Sequence, residues 1–98
     1  MTHRNTAAHH KTAQRFLIRG HVQGVSYRAF AVHSAQETGV TGWTRNLDDG
    51  GVEVQANGTA NQLSDFEARL RKGPRWAEVR GVEVEEIAAF SASGFHIR

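Results

Sequence analysis

The chain has 98 residues, 39% of them hydrophobic, no cysteine and a formal net charge of +2. This length supports one domain around a single modest core, and the lack of cysteine rules out disulfides, thiolate metal sites and thiol nucleophiles together. No apolar run approaches the ~20 residues of a membrane span, and the polar amino end, MTHRNTAAHHKTA, lacks the apolar stretch of a signal peptide, which predicts a cytoplasmic protein with no membrane partner.

The excess charge sits at one end. Arg4 and Lys11 fall in the first thirteen residues, which contain no acid, and the ten basic residues that follow balance the ten acids. A protein that grips a nucleic-acid backbone gathers lysine and arginine on one surface. Here the surplus belongs to a tail, so no nucleic-acid partner is predicted. Residues 1–13 read as a disordered tail whose His3, His9 and His10 are solvated, and residues 14–98 as the folded domain.

Strand character runs from Gln14 to Val22, with Phe16, Ile18 and Val22 on one face and Arg15 and Arg19 on the other. A helical pattern follows from about Ser26 to Thr38, with Tyr27, Phe30, Ala31, Ser34 and Ala35 on one stripe, and Gly39 ends it. Val40 to Leu47 reads as a second strand, and Asp49-Gly50-Gly51 as a hairpin turn in which glycine supplies positive φ. In the returning strand Val52, Val54 and Ala56 alternate with Glu53 and Gln55, which puts Glu53 on the surface face. Asn57-Gly58 closes the hairpin.

Thr59, three residues before Gln62, makes a capping box for a second helix that runs to Lys72. Leu63, Phe66 and Leu70 form its buried stripe, and Arg69, Arg71 and Lys72 complement its carboxyl-end dipole. Gly73-Pro74 stops it. The next strand, over about 76–87, changes parity between Val79 and Val82, which predicts a bulge near Arg80-Gly81. Phe95 to Ile97 makes a short final strand. The order β-α-β-β-α-β with a small extra strand is that of an α+β ferredoxin-like sandwich, in which two helices cover one face of an antiparallel sheet.

The chemistry is concentrated where the first strand meets the first helix, in GHVQGVSYR from Gly20 to Arg28. A strand, a short glycine-containing loop and a helix start aim backbone N–H groups at one spot. The helix dipole adds positive potential there, and an arginine fork can clamp an anion's oxygens. Arg28 can be read as a solvated helix residue, but a cation is disfavoured at the positive end of a helix dipole, and a bound anion removes that penalty. Asn46, near the end of the second strand, reads from its position alone as a turn former.

The motif GHVQGVSYR resembles the acylphosphatase signature G-x-V-Q-G-V-x-[FY]-R. The block GWTRNLDDGGVEVQANG, from Gly42 to Gly58, is similar to the same family's G-W-V-x-N-x-x-D-G-x-V-E-V-x-x-x-G. The likeness continues weakly through the Gly-Pro after the second helix to the final GFHIR and covers about Gln14 to Arg98. Tyr27 departs from the family's usual phenylalanine, and the segment around Trp76 differs from the usual one.

The resemblance implies hydrolysis of small-molecule acyl phosphates to a carboxylate and inorganic phosphate, with phosphate as product and inhibitor and with no metal or cofactor. It makes Arg28 the phosphate-binding arginine and Asn46 the residue that orients the attacking water. The backbone of His21, Val22, Gln23, Gly24, Val25, Ser26 and Tyr27 becomes the phosphate cradle. Within that cradle Gly24 lets backbone approach phosphate, Gln23 braces the loop by hydrogen bonds, and Val22 and Val25 anchor it in the core.

Other polar residues read as scaffold. Arg45 is placed on the surface, Trp43 is assigned to packing on the face of Asn46, and Asp48 and Asp49 are solvated turn residues. His33 and His96 belong to no motif. A phosphocysteine route lacks its thiolate, and a phosphoaspartate route lacks its D-x-D strand end. Neither H-x-H nor H-E-x-x-H occurs, so no metal hydrolase is indicated. The rivals are a phosphate-binding regulatory module, for which the chain leaves no room for a partner domain, and an RNA-recognition domain, whose base-stacking aromatics are missing from GGVEVQANG. A monomeric enzyme is expected.

Overall fold

Phe16 and Ile18 point to one side of β1 (Thr12–His21) and Arg15 and Arg19 to the other, and this alternation decides which side of the sheet the helices cover. The structure, a computed structural model, describes residues 10–98, so the expected tail lies outside the described residues as far as residue 9. Thr12 and Ala13 already belong to β1, which starts two residues before the expected Gln14. The remaining elements are α1 (Tyr27–Thr38), β2 (Thr41–Asn46), β3 (Val52–Gly58), α2 (Ala60–Lys72), β4 (Glu78–Ile87) and β5 (Phe95–Ile97). They form one sheet in the order β4-β1-β3-β2-β5. This is the ferredoxin-like α+β architecture expected from the element order.

Four strands pair antiparallel, but β5 lies parallel to β2, so the sheet is mixed rather than wholly antiparallel. The connectivity gives the reason. β4 occupies one edge and runs opposite to β2, so a chain that doubles back across the sheet arrives at the far edge running with β2.

Both helices rest on the face that carries Phe16, Ile18, Val52 and Val54. Phe66 of α2 sits edge-on to Phe16 and to Phe95, with centroids 5.8 Å apart in each pair. Leu63 and Leu70 complete the stripe read from the sequence, and the capping box forms, with Thr59 Oγ1 accepting from the Gln62 N–H and Gln62 Oε1 accepting from the Thr59 N–H. The Tyr27 hydroxyl, buried at the start of α1, donates to the Leu70 carbonyl at 2.7 Å, so the departure from phenylalanine ties α1 to the last turn of α2. No helix among the described residues is long and apolar enough to cross a membrane.

The predicted bulge is present. Arg19 faces Gly81 and Gly20 faces Val79, which leaves Arg80 as the extra residue of β4. Gly20 has φ +128°, and a Cβ there would lie 2.0 Å from the Glu78 carbonyl oxygen. Only glycine lets β1 bend out of the sheet at that point and enter the loop.

The face away from the helices differs from the sequence reading in two places. Glu53 is on that face as expected but is not exposed: its side chain is 2% accessible. Arg15 Nε donates to it at 2.5 Å, Arg45 Nε at 2.7 Å and Gln55 Nε2 at 3.1 Å. Long arginine stems from the flanking strands cover the carboxylate, so Arg45 is half-exposed but not idle. Trp43 pairs across the strand with Gln55 and lies on the face of Arg45, not that of Asn46. Three positions separate it from Asn46, and strand alternation turns that spacing to the opposite side. The Arg45 and Arg98 guanidinium groups lie 5.6 and 4.1 Å from its ring centroid.

Burial works to raise the Glu53 carboxyl, but hydrogen bonds from Arg15, Arg45 and Gln55 outweigh it and hold the group below its ordinary value of 4.5. A carboxyl depressed by folding contributes stability that is present above its unfolded value and lost as pH falls through the folded one. Urea midpoints of the native protein should therefore decline as pH falls below 4.5, whereas Glu53→Gln should show a shallower decline from a starting stability lower by about 2 kcal/mol. Parallel pH curves for the two proteins would contradict the clamp.

Candidate active site

The loop from β1 to α1 alternates the sign of φ. Gly24 has φ +76° and Ser26 φ +63°, and Ser26 is the one non-glycine with positive φ among the described residues. Such alternation curls successive N–H groups toward a common point, the geometry of an anion nest. Ser26 is also the N-cap of α1, yet its side chain makes no capping bond. The first N–H with a helical acceptor is that of Phe30, which donates to the Ser26 carbonyl at 3.0 Å. The N–H groups of Tyr27, Arg28 and Ala29 are thus the unpaired donors that every helix start exposes. They lie at the helix end where the dipole is positive.

Arg28 belongs to this first turn and is half-buried. Among the described residues it forms no ion pair, while the arginines of β1 and β2, Arg15, Arg19 and Arg45, are each matched to a carboxylate. Asn46 ends β2, paired with Val52, and is exposed. Arg28 and Asn46 line one open pocket of about 180 Å³. Val22, Gly24, Ser26 and Tyr27 contribute to the same wall.

Three expected cradle residues do not line it. His21 is exposed at the end of β1, and Val25 packs partly buried against the core, in keeping with an anchoring role. Gln23 turns away from the pocket and donates from Nε2 to the carbonyls of Leu47, at 2.7 Å, and Gly51, at 2.8 Å. The loop is thereby joined to the β2–β3 turn immediately beyond Asn46. That turn is itself stiffened: Asp49 accepts from the Gly51 N–H at 3.0 Å and pairs with Arg19 at 2.5 Å. The Gly51 N–H and then Arg19 hold the Asp49 carboxyl below its ordinary range.

Two lining residues were not anticipated, Ala29 and Ile97. Ala29 follows Arg28 on the first turn and could have been found from that adjacency. Ile97 enters only because β5 runs parallel to β2 and sets it opposite Thr44, a pairing that no local pattern reveals. His33 and His96 are exposed and lie outside the pocket, and the His96 ring nitrogen contacts the Ser93 carbonyl at 2.6 Å. No aspartate, glutamate or histidine lines the pocket. Among the described residues no three His, Asp or Glu side chains converge on a point that could hold a metal ion. The pocket therefore combines a free guanidinium, a ring of unpaired amides and one carboxamide, a donor-rich surface suited to a tetrahedral oxyanion.

Known proteins share both the sequence pattern and the fold. The sequence pattern of the family described as Acylphosphatase matches residues 14–97. A protein named acylphosphatase from Solibacter usitatus is 51% identical over 86 residues, which cover 88% of this chain and 90% of that one. Among solved structures, an acylphosphatase from Coxiella burnetii superposes with a TM-score of 0.86 at 35% identity, covering 90% of this chain and 93% of the other. The Bacillus subtilis acylphosphatase gives a TM-score of 0.84 at 32% identity, covering 88% of this chain and 97% of the other.

Proposed function

The chain belongs to the acylphosphatase family and hydrolyses acyl phosphates, and we propose that it does so without a metal ion, using Arg28 and the loop amides to hold phosphate and Asn46 to aim water. The observation that carries this is one pocket lined by an unpaired arginine, unpaired helix-start amides and the Asn46 carboxamide.

An acyl phosphate is a mixed anhydride whose leaving group is a carboxylate, so departure needs little protonation. Phosphoryl transfer through a loose transition state depends on positioning and on charge stabilisation. The Arg28 fork and the N–H groups of Gly24 and residues 26–29 surround the phosphoryl oxygens as charge redistributes over them. Asn46 Oδ1 accepts a hydrogen bond from water and fixes its oxygen in line with the acyl oxygen. The water oxygen bonds to phosphorus, the P–O bond to the acyl group breaks, and the carboxylate leaves with the bonding pair. The proton passes to a phosphate oxygen of the substrate, since no side chain in the pocket is a base. Ideal alignment of nucleophile and electrophile supplies at most about 7–11 kcal/mol.

Donor chemistry supports the metal-free route, because the pocket lining offers a cation and amides rather than carboxylates or imidazoles. Hydrolysis of benzoyl phosphate should proceed at an unchanged rate in EDTA, and loss of activity that returns with added divalent cation would refute this. Arg28→Ala should lower kcat/KM by about 1,000-fold or more and abolish competitive inhibition by inorganic phosphate. Inhibition that persisted would place the phosphate elsewhere. Asn46→Ala should lose about 100-fold or more in kcat yet keep its inhibition constant for phosphate. A matching loss of phosphate affinity would assign Asn46 to binding rather than to water.

A further inference from the structure

We propose that Ile97 forms the acyl-group wall of the site, so that this protein favours acyl phosphates with an apolar acyl group over those with a short or charged one. The assignment rests on the phosphate-binding role given to Arg28 above. An isolated exposed apolar residue means little by itself. Ile97 is distinguished by its location: it is one of two large hydrophobic side chains exposed among the described residues, at 48%, and it lines the pocket of Arg28 and Asn46. The other, Trp76, is outside that pocket.

Ile97 is held in place on both sides. The Arg98 N–H donates to the Thr44 carbonyl at 2.8 Å, and the Arg98 guanidinium stacks on Trp43. The His96 ring contacts the Ser93 carbonyl. β5 register sets Ile97 against Thr44, two positions before Asn46 on β2. With the phosphoryl group on the loop amides and water on Asn46, the acyl group extends along the part of the pocket wall that holds neither. The apolar side chains of the lining that reach its surface are Ile97 and Ala29, since Val22 is 1% exposed and belongs to the core. Arg28 is the one cation in the lining and is committed to phosphate. A second carboxylate on the acyl group would find no partner, whereas an aryl or alkyl group would cover apolar surface otherwise left to water.

Steady-state kinetics on benzoyl, acetyl and succinyl phosphate test this, with inorganic phosphate as inhibitor. Ile97→Ser should lower kcat/KM for benzoyl phosphate by about 5- to 10-fold and leave acetyl phosphate within about twofold. Ile97→Lys should raise succinyl phosphate relative to benzoyl phosphate. The inhibition constant for phosphate should be unchanged in both variants, because Ile97 does not contact the phosphoryl group. An equal loss on all three substrates, no change on any, or weakened phosphate inhibition would each overturn the assignment. Failure of the phosphate-site reading is separately visible, since it would appear as phosphate inhibition that survives Arg28→Ala.

Discussion

Two hydrogen bonds from one side chain set the distance on which the site depends. Gln23 sits between Val22 and Gly24 in the β1–α1 loop and donates to both Leu47 and Gly51 in the β2–β3 turn. Arg28 comes from α1 and Asn46 from the end of β2, and no hydrogen bond between their side chains fixes their spacing. The amide does so instead, by joining the loop that leads into α1 to the residue that follows Asn46. Its carbonyl acceptors are partly buried, so each bond is worth more than an exposed one, and it adds to the backbone bonds that Leu47 and Gly51 already accept within the turn. Asp49 and Arg19 stiffen the same turn from its outer side.

The two sheet faces solve burial in different ways. One is covered by helices and closed with aromatic and aliphatic contacts around Phe66. The other has no helix, and its central carboxylate is covered by arginine stems from β1 and β2. Glu53 there faces Leu17 and Arg45 across the ladder, so the ion pairs also report on strand register. A slip of one residue would move Glu53 into the apolar layer, where a charge without partners is far costlier than any loss of packing.

Local signals were legible in the sequence and distant ones were not. The loop and Arg28 stood out from a short stretch of chain and Asn46 from its resemblance to a family motif, and the structure brings Arg28 and Asn46 to one pocket. The parity change between Val79 and Val82 located the bulge, since alternation is a property of one strand. Glu53 and Trp43 show where such reasoning stops. Alternation says which side a residue takes but not whether long side chains from neighbouring strands will cover that side. The direction of β5 depends on where β4 lies in the sheet, so both the parallel edge and the arrival of Ile97 at the pocket required the full topology. The tail over residues 1–9 lies outside the described residues and adds nothing to either account.

The extra residue at Arg80 has a consequence for molecules in crowded solution. β4 is a border strand of ten residues, long enough to template pairing by a second molecule. The kink opposite Gly20 interrupts its row of outward amides and carbonyls, and since Glu78 pairs with Arg80 and Glu85 with Arg15, the border's negative excess rests on Glu83 and Glu86. An approaching strand would meet a broken ladder and like charges. The same irregularity that lets the chain peel away into the β1–α1 loop thus leaves that border a poor template for an added strand.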